Sequence, residues 1–74
     1  MARIDRLLRK AIRSRFLITL VDEDAFVGVV VDADHEHLVL ADAAHIDAEG
    51  KPVPAETQLW IPRSQVKYMQ EIRP

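Results

Sequence analysis

Seventy-four residues hold one small domain at most, since domains usually run to about 100–150 residues. An apolar fraction of 49% with 30% charge excludes a mostly disordered chain. Cysteine is absent, which excludes a disulfide framework and any thiolate metal site. The net charge of -2 hides an asymmetry: residues 1–15 sum to +5, residues 16–59 to -9 and residues 60–74 to +2.

Residues 3–14 read as an amphipathic helix. Ile4, Leu7, Leu8, Ala11 and Ile12 form one stripe at a period of 3.6, while Arg6, Arg9, Lys10 and Arg13 take the opposite side. A basic face of this kind is either solvated or an arm that meets nucleic acid or an acidic protein surface. Residues 16–21 then turn β-branched and aromatic and read as a first strand, with Asp22, Glu23 and Asp24 as a turn. Residues 26–32 form a second strand, apolar on both faces, so both sides should be covered. Gly28 lies mid-strand, where glycine marks a bend or a close backbone approach, so it is a fold-critical position. Asp34, His35 and Glu36 make the next turn, and residues 37–41 a third strand with Leu38 and Leu40 on one face and Val39 on the other. Residues 42–57 read as a long connection tipped at Gly50, with Pro52 and Pro54 arguing against continuous sheet. A short fourth strand follows over residues 58–61. A turn at Pro62, Arg63 and Ser64 leads to a fifth strand over residues 65–71, where Val66, Tyr68 and Gln70 alternate against Lys67 and Met69. One helix and five short antiparallel strands should curl into a mainly β, strongly bent, partly open barrel spanning residues 16–72.

That order resembles the Sm and Sm-like (LSm) family, a small SH3-like barrel. The stretch AFVGVVVDAD resembles the family's first motif, in which a hydrophobic run around glycine leads to an aspartate, here Asp32 or Asp34. HLVLADA is similar to the NLVLxDA segment, through Leu38, Val39, Leu40, Asp42 and Ala43. LWIPRSQVKYM is similar to the second motif. The positions that hold RNA in the family are altered: His37 falls where asparagine is usual, and Pro62-Arg63 replaces an Arg-Gly pair. The resemblance implies a ring in which the fourth strand of one subunit pairs with the fifth of the next, with Leu59, Trp60, Ile61, Val66, Tyr68 and Met69 at the subunit interface. It implies RNA contacts, if any, at His35, His37 and Arg63, supplemented by the basic helix. Small barrels of this look also occur in bacterial and phage sequences, which implies a role in a virion or a larger accessory assembly.

Other chemistry finds little support. His35, His37 and His45 invite a metal, but spacing fixes no full tetrahedral set. Asp32-x-Asp34-x-Glu36 starts like a calcium loop and fails at its sixth and twelfth positions, His37 and Ala43. Ser14 and Ser64 lie in no nucleophile elbow. The expectation is a non-enzymatic, cofactor-free homo-oligomer that serves as an assembly module. The alternatives are an RNA-binding ring, favouring U-rich single strands, and an adaptor working through its helix. No apolar run approaches the ~20 residues needed to cross a bilayer, and no signal peptide is visible, so the expected setting is cytoplasmic, or virion-associated for a phage protein.

Overall fold

The computed structural model describes residues 9–73. The strands are β1 (Arg15–Leu20), β2 (Ala25–Ala33), β3 (His37–Ile46), β4 (Pro52–Pro54), β5 (Leu59–Pro62) and β6 (Val66–Glu71), with a single 3-10 turn, Arg63–Gln65, between the last two. They form one antiparallel six-stranded sheet in the order β4-β3-β2-β1-β6, and β5 also pairs with β3. The long β3 therefore carries β5 along its first half, through His37–Leu40, and β4 along its second, through Ala44–Ile46.

Of the expected helix, residues 9–11 are helical and end before Arg13, whose φ of 73° is left-handed. A left-handed residue after the last turn stops a helix, so this one ends three residues before the expected end at residue 14. Ile4, Leu7, Leu8 and Arg6 lie outside the described residues. Ala11 is buried and Ile12 packs against the core. The amide of Val30 donates to the carbonyl of Ser14, which ties the helix exit to β2.

Two features correct the five-strand expectation. The first is β3, which runs on to Ile46 because Asp42, at φ 48°, absorbs one extra residue as a bulge: Val29 pairs Ala41 but Val27 pairs Ala44. The bulge turns Ala43 inward after Leu38 and Leu40, so plain alternation fails beyond residue 41. The second is β4, a strand despite two prolines. It lies at the end of the sheet order, where a missing N–H need not break a ladder. The turn before it is closed by Asp47, whose Oδ1 accepts the amides of Glu49 (2.9 Å) and Lys51 (2.8 Å), with Gly50 at φ 82°.

A third correction concerns β6. Leu20 pairs Val66 and Thr19 pairs Tyr68, so Lys67 is an extra residue. This bulge brings Val66 and Met69, not Val66, Tyr68 and Gln70, onto the core. Tyr68 is left about half exposed.

The core is Ile18 from β1, Val30 from β2, Leu38, Leu40 and Ala43 from β3, and Ile61 from β5. Fully burying each large aliphatic contributes about 1.5–3 kcal/mol. The bent sheet does not close into a barrel: β5 and β6 lie at its two open margins, with no pairing between them among the described residues. Gly28 sits opposite the β3 bulge. A Cβ there would stand 3.2 Å from the Ala41 carbonyl oxygen and from Cα and Cβ of Ala43. A side chain at this position would press on the β3 backbone, which glycine lets approach closely.

Candidate functional site

The β2–β3 turn is held by one carboxylate. Asp34 Oδ1 accepts the backbone amides of Glu36 (2.8 Å) and His37 (2.7 Å), and the Asp34 amide donates to the His37 carbonyl at 3.0 Å. The amide of Glu36, and after it that of His37, hold the Asp34 carboxyl below its ordinary value of 3.8, because hydrogen bonds to the charged form favour it.

Arg63 fastens the 3-10 turn to this hairpin although it lies 29 residues further along the chain. Its backbone amide donates to the Glu36 carbonyl at 2.8 Å, and its Nη1 to the Asp34 carbonyl at 2.6 Å. The fold thus brings His35, His37 and Arg63 together. His35, Glu36, His37, Pro62 and Ser64 line an open groove of about 370 Å³. On the other side of His37 lies Trp60, with ring centroids 5.9 Å apart and planes tilted by 59°. His45 stands apart, its ring 5.1 Å from Phe26 and its Nε2 3.7 Å from Asp24. Among the described residues, no three histidine or acidic side chains converge on a metal-sized site.

The remaining expected positions divide by environment. Arg9, Lys10 and Arg13 are exposed, at and just beyond the helix end. Of the six interface residues, Ile61 has its side chain buried in this chain's own core, and Leu59, Val66 and Met69 pack against that core. Strand alternation explains this: the side chains that leave the sheet inward are used within the subunit. Trp60, at 67% exposure, and Tyr68, at 51%, are the aromatics that point away. What lies open on β5 and β6 is chiefly their backbone margins.

Sequence reasoning missed two things. Asp34 is the residue that shapes the turn, and an aspartate two and three residues ahead of unpaired amides is a readable signal for this. The meeting of Trp60 with His37 had no such signal, because it depends on the β3–β5 register, in which Trp60 opposes Val39.

No protein-family model and no curated protein matches the chain. Solved structures do. The P. aerophilum SmAP1 heptamer superposes with a TM-score of 0.85 at 21% identity, covering 100% of this chain and 99% of that one. The Sm protein of Pyrococcus abyssii, solved in complex with a uridine heptamer, gives 0.78 at 24% identity over 90% and 94%. The SmAP (LSm) protein of Methanococcus vannielii gives 0.68 at 25% identity over 86% and 87%. The chain has the Sm-like fold. These three neighbours are archaeal, and they lend no support to a phage or bacterial role.

Proposed function

We propose that the chain is a non-enzymatic subunit of a homo-oligomeric ring, and that the ring holds single-stranded RNA where the β2–β3 turn meets Arg63. The observation that carries this is the pair of hydrogen bonds by which Arg63 clamps the turn bearing His35 and His37. Two imidazoles, for stacking, thereby line one groove, with a guanidinium, for phosphate, anchored on the turn beside it, the combination that single-strand binding uses. Assembly follows from the margins. Two short strands with unpaired backbone groups invite strand addition. One repeated head-to-tail contact closes a ring when its rotation permits. The solved neighbours include a heptamer and a uridine complex, which supports both halves of the reading and makes seven the expected subunit number.

Mobility shift of labelled oligonucleotides tests the RNA half. Binding should tighten as salt falls, and Arg63→Ala should weaken it about tenfold or more while leaving the oligomer intact. Unchanged binding by Arg63→Ala would place the RNA elsewhere. A second reading is favoured by the exposed acids Asp32, Asp34 and Glu36 around the turn, which repel phosphate: a purely structural ring that docks in a larger protein assembly. Absence of any shift at low salt, with the ring formed, would select it.

A further inference from the structure

Trp60 is the most exposed large apolar side chain among the described residues. It flanks a shallow pocket of about 90 Å³ lined by Asp32, Ala33, Asp34, His37, Val39 and Trp60. That is far below the roughly 300 Å³ of a small-molecule cleft, so the pocket admits the edge of one flat ring. Its chemistry is specific. Trp60 and His37 supply aromatic surface. Asp32 and Asp34 also line it, and their carboxylates when ionised only accept hydrogen bonds. Each spends one oxygen on local backbone: Asp32 Oδ1 takes the Ala33 amide at 2.8 Å, and Asp34 Oδ1 takes those of Glu36 and His37. The second oxygen of each accepts no hydrogen bond from another described residue.

A uracil edge sets two carbonyl acceptors around one N–H, so it meets these carboxylates with like against like. Adenine and cytosine present an exocyclic amine, which a carboxylate accepts. We infer that this pocket is a nucleobase subsite for amine-bearing bases, adenine foremost because its larger ring covers more of Trp60. The inference rests on the RNA reading above and names the sequence class that the RNA would carry. It departs from the uridine preference that the family resemblance implies.

Fluorescence anisotropy with end-labelled oligo(A), oligo(C) and oligo(U) of about ten nucleotides, on the assembled full-length chain, tests it. Oligo(A) should bind tightest and oligo(U) weakest, about tenfold apart. Indole emission should change on oligo(A) binding. Trp60→Ala, compared on the fraction that keeps the wild-type mass, should weaken all three by a similar factor. Asp32→Asn should narrow the gap between oligo(A) and oligo(U), because its amide donates to uracil while still accepting the Ala33 N–H. Oligo(U) binding as tightly as oligo(A) would overturn the subsite and leave the RNA reading standing. An unchanged gap in Asp32→Asn would also overturn it. Failure of all three oligonucleotides at low salt would overturn the RNA reading, and the subsite with it.

Discussion

Asp34 is exposed, yet two backbone amides point at its carboxylate and hold its proton affinity down. The folded value lies below the unfolded one. The stabilisation is therefore complete above about pH 3.8 and vanishes as the pH falls through the lowered folded value. Thermal melts from about pH 6 to about pH 2 should show wild type losing ground on Asp34→Asn, whose amide oxygen still accepts the two N–H groups but does not titrate. A constant difference across that range would contradict this account of the turn. Gly28 makes the second prediction. Its missing Cβ leaves room for the Ala41 carbonyl and the Ala43 backbone, so Gly28→Val forces neighbouring strands apart. Overpacking of this kind costs about 1–3 kcal/mol, a large share of the roughly 4–10 kcal/mol that a chain this short can hold. A melting temperature within error of wild type would refute it. Gly28 was legible from its place inside an apolar run. The pairing of His37 with Trp60 was not, because nothing local in either segment specifies their register.

At the level of strands, legibility followed regularity. The expected bounds of β1, β2 and β5 lie within one residue of those observed, although β2 carries Val31 as an extra residue between the Val30–Leu40 and Asp32–Val39 pairs. Three local irregularities hid the rest: the left-handed Asp42 that carries β3 onward, the extra Lys67 that re-phases β6, and the prolines of β4. Each is a backbone event with tertiary cause, and side-chain pattern alone does not register it. The β6 ladder also separates its two margins. The Ile72 amide donates to the Arg15 carbonyl at 2.8 Å. Amides along a strand alternate in direction, so Gln70 faces β1 and Glu71 faces the open margin. Gln70→Pro should therefore lower the melting temperature by breaking the internal ladder. Glu71→Pro should leave the subunit folded, as seen by circular dichroism, and weaken assembly. Equal effects of the two on folding and on assembly would contradict a free β6 margin.

For the molecule as a whole, the bent sheet leaves β5 and β6 unsatisfied at opposite borders, and a chain of 74 residues can bury only a small core by itself. Joining copies border to border extends the sheet, satisfies the backbone groups and covers the apolar surface beside Leu59, Val66 and Met69, which each subunit buries only in part. The same union would set the Arg63-clamped turns of successive copies in a circle. In the proposed function, ring closure and RNA binding would both follow from one geometry, and the former is the more basic. The mass of the purified chain in solution, by multi-angle light scattering at micromolar concentration, tests it most directly. The account predicts one discrete species at a fixed multiple of 8.4 kDa, seven copies being expected, and unchanged by dilution. A stable monomer across that concentration range, or an open-ended series of sizes, would contradict it.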